Sequence, residues 1–231
     1  MHILSFDTAL QTCSVAIIRG DETVFDKFYL LGKNNAETLP ILVFDALKST
    51  KTRIADLDRV AVVRGPGSFT GLRTGLAFAR GLVLGAKAVG IGVTSTQALA
   101  ASHPAPPQTV TAPVIDARRG EVFAAAYDAA LNEIIAPFAA APAVARARLL
   151  EGLSDGPAPT PVRLIGSGAK LIPDPPACWR REDDADAIDP VALARLAAAA
   201  PIPTDPPQPL YLRAPDAKPS AAALFQGLPT S

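Results

Sequence analysis

Histidine is nearly missing from this 231-residue chain, which holds only His2 and His103. Neither stands in a His-x-x-x-His or His-x-x-Glu-His pair, so a histidine-based metal centre is not expected. Cysteine is as scarce. Cys13 and Cys178 match no zinc or disulfide spacing, which suits a reducing compartment. Net charge is absent too: 22 Lys and Arg balance 22 Asp and Glu, so no global field draws the chain to nucleic acid or to an acidic membrane. No apolar run approaches the ~20 residues of a bilayer-spanning helix. Leu82 to Ala86, for example, lies between Arg80 and Lys87. The start, Met1-His2-Ile3-Leu4-Ser5-Phe6-Asp7, lacks the basic, apolar and small-residue regions of a secretory signal, and a cytoplasmic location is expected. Hydrolase signatures are lacking as well. Ser14, Ser68 and Ser95 have no nearby base, and Gly166-Ser167-Gly168 resembles a nucleophile elbow only superficially.

What is abundant is apolar residues, 49% of the chain, enough for one sizeable core or two small ones. Residues 2–6, 13–18 and 23–30 read as antiparallel strands, with Gly20-Asp21 as the second turn. A helix over 36–49, a strand over 59–63, a glycine-rich loop, a helix over 70–86 and a strand at 88–92 follow. This is an α/β pattern, a mixed sheet flanked by helices. The proline-rich stretch from His103 to Gln108 reads as a linker between two lobes, 1–103 and 104–231. Beyond it, residues 110–116 and 121–127 pair about Arg118-Arg119-Gly120, so the second lobe starts as the first did. Residues 136–161 and 201–209, rich in Ala and Pro, read as loops and short helices. A strand at 162–165 and a helix over 190–199, opened by Asp189-Pro190, complete the pattern, and the tail from Ser220 is expected to be disordered.

Gly65-Pro66-Gly67-Ser68-Phe69-Thr70-Gly71-Leu72-Arg73 joins a strand to a helix. Ser68 or Thr70 can cap that helix, and the loop could hold an anion at the positive end of the helix dipole. It could equally be a structural tight turn, and no Lys-Ser or Lys-Thr pair makes it a P-loop. Asp7 and Thr8, at the end of the first strand, offer a carboxylate and hydroxyl for a metal-bound phosphate or, more plainly, an Asx turn. Asp116, with Arg118, repeats the arrangement in the second lobe. Asp7, Thr8, Gly65, Gly67 and Asp116 are therefore the candidate residues of a degenerate phosphate site.

Both first-lobe helices are apolar on more than one side. Leu39, Leu42, Val43, Ala46 and Leu47 make the stripe expected to face the sheet, while Ile41 and Phe44 project oppositely. In the second helix Gly71, Gly75 and Ala79 recur every four residues beside Leu72, Leu76 and Val83. Interior helical glycine costs about 1 kcal/mol relative to alanine, which suggests that a close backbone approach offsets the loss. Either the helices pack inside one molecule, or they pair with another polypeptide through Ile41, Phe44, Leu72, Gly75, Leu76 and Ala79.

The glycine loop, the start Ile3-Leu4-Ser5-Phe6-Asp7-Thr8 with Cys13-Ser14-Val15-Ala16, the run Gly92 to Ala100, the segment Asp116 to Phe123 and Tyr211-Leu212-Arg213 together resemble the bacterial TsaB (YeaZ) family. The resemblance implies an actin-like, sugar-kinase-like two-lobed fold. It also implies a non-catalytic role in forming threonylcarbamoyladenosine beside the anticodon of tRNAs that read codons beginning with A. The implied partners are the catalytic subunit TsaD, bound through first-lobe helices, and the ATPase TsaE. Nucleotide and metal are then expected on partner subunits and tRNA only through the complex, with a homodimer when the chain is alone. TsaD holds its metal through histidines on the first helix. The corresponding helix here begins Asn34-Asn35-Ala36-Glu37, without histidine. Ala9 also departs from the serine that many relatives carry after Asp-Thr. The competing reading is a stand-alone ATP-dependent enzyme or glycoprotease-like peptidase of the same fold, since fold alone does not decide function.

Overall fold

Strand alternation organises the first half. The computed structural model describes residues 1–10, 12–30, 35–154, 160–182 and 185–213; Asn34 and the tail from Ser220 lie outside them. β1 (His2–Asp7), β2 (Thr12–Arg19) and β3 (Glu22–Leu30) form an antiparallel meander, with Gly20 at φ 58° in the second turn. β4 (Arg59–Val63) and β5 (Val89–Val93) add in parallel, giving the order β3-β2-β1-β4-β5. Successive side chains point to opposite faces. Leu4, Phe6, Val15, Ile17, Val60 and Val62 accordingly share one core with α1 (Asn35–Ser49) and α2 (Phe69–Ala86). Ile3, Ile18, Ala61, Val63, Ile91 and Val93 face the other way, onto α5 (Pro190–Ala199). A sheet covered on both faces needs near-continuous apolar strands, which is what β1, β2 and β4 supply.

The second half repeats the plan. β6 (Val110–Arg118), β7 (Glu121–Tyr127) and β8 (Glu133–Ala140) form a meander, and β9 (Val162–Ile165) and β10 (Trp179–Glu182) add in parallel, in the order β10-β9-β6-β7-β8. Taking strands in order within each half, both sheets run third, second, first, fourth, fifth. α4 (Pro142–Gly152) covers one face through Ala145 and Leu149. α3 (Ser95–Ser102) covers the other, packing on β6 and β7. Each half therefore lends a helix to the other: α3 crosses to the second sheet, α5 to the first, and the two touch each other between the sheets. Ser5 Oγ donates to the Pro190 carbonyl at 2.6 Å, pinning the start of α5 beneath the first sheet. Two mixed sheets flanked by helices, with this topology, make an actin-like two-lobed α/β fold.

Several elements differ from the sequence reading. Residues 136–161 hold not only loops and short helices but most of β8 and the 11-residue α4. β8 lies at the sheet edge, where Pro137 is tolerated because one side of the strand needs no ladder donor. β10 and α3 were not anticipated. The cap of α3 was nonetheless legible as Thr94-x-x-Gln97, since the Thr94 hydroxyl accepts from the Gln97 amide at 3.1 Å. Asp189 caps α5 as expected, its Oδ1 accepting from the Val191 amide at 2.8 Å.

Candidate functional site

The end of β1 and the glycine loop meet, but as a closed contact. Asp7 and Thr8 are buried. Asp7 Oδ1 accepts from the Ala9 amide at 2.7 Å, forming the Asx turn, and its Oδ2 has no partner. Burial pushes the Asp7 carboxyl up to about 7 against the pull of the Ala9, Leu10 and Thr8 amides. The same desolvation, with the Asp7 charge, pushes the Cys13 thiol up to about 12. The loop lies on this turn: the Ser68 amide donates to the Ala9 carbonyl at 2.8 Å, and Thr8 Oγ1 donates to the Gly71 carbonyl at 2.8 Å. A Cβ at Gly67 would stand 2.5 Å from the Ala9 carbonyl oxygen, and one at Gly65 2.7 Å from that of Leu210. The Ser68 side chain accepts from the Gly71 amide and caps α2.

Asp116 sits at the matching place in the second sheet, exposed, its Oδ1 accepting from the Arg118 amide at 2.7 Å. Gly166-Ser167-Gly168 lies beneath it as the glycine loop lies beneath Asp7. The Asp116 amide donates to Ser167 Oγ at 3.1 Å, and the Gly168 amide donates to the Val114 carbonyl at 2.9 Å. Ser167 thus braces a strand end. Among the described residues no hydrogen bond joins Asp116 to Asp7 or to the first glycine loop, and no cluster of three His, Cys, Asp or Glu could hold a metal. A cavity of about 770 Å³ opens elsewhere, between β5, α3 and α5, with Gln97, Ser102, Asp189 and Arg195 among its lining.

The outer faces of α1 and α2 are different. The helices lie side by side on the first sheet, and Leu39, Leu42, Val43 and Ala46 of α1 are buried as the periodicity required. Ile41 and Phe44 point away, 62% and 63% exposed, and Leu84 of α2 is 83% exposed. Fully burying such a side chain is worth about 1.5–3 kcal/mol each. The reading of α2 needs correction. Leu72, Gly75, Leu76 and Ala79 are buried within the molecule, not available to a partner. Gly71 and Gly75 are small because α2 crosses directly over Thr8: a Cβ at 75 would lie 2.6 Å from Thr8 Oγ1 and 3.5 Å from Val62. The edge-to-face contact of Phe6 and Phe78, with centroids 5.8 Å apart, holds the same face down. The outward stripe is instead Ala77, Gly81 and Leu84, and a Cβ at Gly81 would meet nothing within 4 Å. Sequence reasoning missed this second small-residue stripe, although Ala77 and Gly81 also stand four apart.

Comparison with known proteins agrees with this architecture. A family model described as TsaD: tRNA N6-adenosine threonylcarbamoyltransferase matches residues 30–169. The tRNA threonylcarbamoyladenosine biosynthesis protein TsaB of Escherichia coli is 39% identical over 135 residues, 58% of each chain. TsaB of Bacillus subtilis is 32% identical over 127 residues, 55% of each chain. The chain thus spans little more than half the length of the curated TsaB relatives it matches. An uncharacterized Mycobacterium tuberculosis protein is 34% identical over 226 residues, 95% of each chain. Among solved structures, a Pseudomonas aeruginosa protein with similarity to peptidase YeaZ superposes with a TM-score of 0.71 at 20% identity, covering 92% of this chain and 99% of that one. YeaZ from Pseudomonas aeruginosa gives 0.70 at 21% identity, covering 86% and 91%. With its matching family model, its TsaB relatives and its shared fold, the chain belongs to the TsaD-type family and, within it, to the TsaB (YeaZ) group.

Proposed function

We propose that this chain is a cytoplasmic, non-catalytic subunit of the complex that forms N6-threonylcarbamoyladenosine at the tRNA adenosine next to the anticodon, and that it binds and activates the catalytic subunit TsaD. The observation that carries the reading is the exposed apolar surface of the adjoining helices α1 and α2, Ile41 and Phe44 on the one and Leu84 with the small residues Ala77 and Gly81 on the other. Such a face packs well against a second pair of helices, because small residues let helix axes approach while large ones fill the grooves. A TsaD-type partner built on the same fold would offer the matching pair. On this reading the two strand ends are structural: Asp7 is buried with a raised pKa, and Ser167 Oγ accepts from the Asp116 amide. Nucleotide and metal then belong to TsaD and TsaE, and tRNA is reached within the assembly.

Calorimetric titration with TsaD from the same organism tests this. Ile41→Asp and Leu84→Asp should abolish binding while leaving the thermal midpoint unchanged, since an unpaired charge buried at an interface costs several kcal/mol. Unchanged affinity in both variants would overturn the docking face. ATP turnover or proteolysis by the isolated chain, lost in Asp7→Asn, would favour an independent enzyme instead.

A further inference from the structure

Residues 204–213 cross from one sheet to the other as an extended strap. Pro207 lies against Gly90 and Gly92 of β5, and the Leu210 amide donates to the Arg64 carbonyl at 2.7 Å. At the far end Arg213 Nη1 donates to the Ala117 carbonyl at 3.3 Å and pairs with Glu121 at 3.0 Å. From Pro207 to Arg213 an extended chain runs about 20 Å.

Arginines follow the strap. Arg80 Nη2 donates to the Pro207 carbonyl at 3.1 Å and to Gln208 Oε1 at 3.0 Å. Arg73 Nε donates to the Tyr211 hydroxyl at 3.3 Å, and its guanidinium lies 3.8 Å above the centre of the Phe69 ring. The Phe69 and Tyr211 rings are 5.3 Å apart and tilted 35°, yet they remain 41% and 42% exposed. Arg118 is exposed next to Ala117. Of the nearby acids, Glu121 pairs with Arg213, Asp116 holds the Arg118 amide, and Asp205 lies at the near end with Thr204. Among the described residues Arg73, Arg80 and Arg118 form no ion pair.

We propose that this track binds single-stranded or loop RNA, with phosphates along Arg80, Arg73 and Arg118 and an unpaired base on the Phe69–Arg73–Tyr211 stack. In a chain of zero net charge the arginines here are a local concentration, and flat exposed guanidinium and aromatic faces suit a nucleobase. An acidic peptide would satisfy the charges but leave the stack unused. The identity of the RNA as tRNA rests on the reading above; the track itself does not.

Fluorescence anisotropy with an unmodified anticodon stem-loop RNA, over a range of salt, tests the track in the chain alone and in its mixture with TsaD. Arg73→Glu with Arg80→Glu should weaken RNA binding more than tenfold and flatten the dependence of log K on log[salt] by about 1.5. Tyr211→Ala should weaken it about tenfold with the salt slope kept. Arg118→Glu, beside the far end of the strap but with no side-chain hydrogen bond to it among the described residues, should weaken it severalfold with the thermal midpoint unchanged. Native-like RNA binding by the charge-reversed variants would overturn the proposal. So would equal competition by polyglutamate together with no effect of Tyr211→Ala, which would assign an acidic protein instead. Calorimetry with TsaD on the same native sample reports separately whether the subunit reading holds.

Discussion

Gly71 lies so close to Thr8 that a Cβ at position 71 would overlap the Thr8 carbonyl oxygen, while the Thr8 hydroxyl donates to the Gly71 carbonyl. Helix α2 and the end of β1 are therefore locked backbone to backbone, and the space between a strand-end carboxylate and a glycine loop is filled by the protein itself. Gly71→Ala should destabilise the fold by about 3 kcal/mol or more, because backbone on both sides must move. Chemical denaturation measures this.

Gly81 tests the opposite face of the same helix. With nothing near its missing side chain, Gly81→Ala should stabilise the isolated chain by about 1 kcal/mol through helix propensity alone. The added methyl should nonetheless weaken TsaD binding if the helices approach closely there. Thermal melting and calorimetry on one variant separate the two effects.

Leu76 and Ile41 distinguish interior from interface. Leu76 belongs to the core with Leu4, Phe6 and Leu39, so Leu76→Ala should cost about 2–5 kcal/mol of stability. Ile41→Ala should change stability by no more than about 0.5 kcal/mol and act instead on partner affinity.

Asp7 sets a pH dependence of definite sign. Its native pKa is about 7 against 3.8 for the ordinary group, so between these values the folded state keeps a proton that the unfolded chain has lost. Stability from this group therefore falls as pH rises through that window. Asp7→Asn removes the effect. The stability of Asp7→Asn relative to the native chain should rise by about 4 kcal/mol between pH 4 and pH 8, read from urea midpoints. Asp56, lowered to about 2 chiefly by hydrogen bonding to Arg53, contributes with the opposite sign and loses its contribution as pH falls below about 4.

How much was legible varied with the kind of signal. The meander, the α1 stripe and the Asp189 cap were readable because strand alternation, helical period and capping chemistry are local. Ile41 and Phe44 were readable for the same reason: one helix cannot turn both of its apolar sides to one sheet. The stripe of Gly71, Gly75 and Ala79 misled because a small residue signals close approach without naming the neighbour. Here the neighbour is Thr8, more than sixty positions earlier. β8 and β10 were hidden because short edge strands rich in Ala, Pro or Arg carry little periodicity.

The amino-acid sequence by itself determined the α/β class, the doubled strand pattern and the family resemblance, all of which rest on residues near one another or on motifs in a fixed order. Only the tertiary structure decided that α3 and α5 exchange sheets, that Asp7 is sealed away, and that α2 offers Ala77, Gly81 and Leu84 rather than Leu72 and Leu76. Those outcomes depend on which surfaces meet after the chain closes on itself. Burial is a property of that meeting, and no single segment contains it.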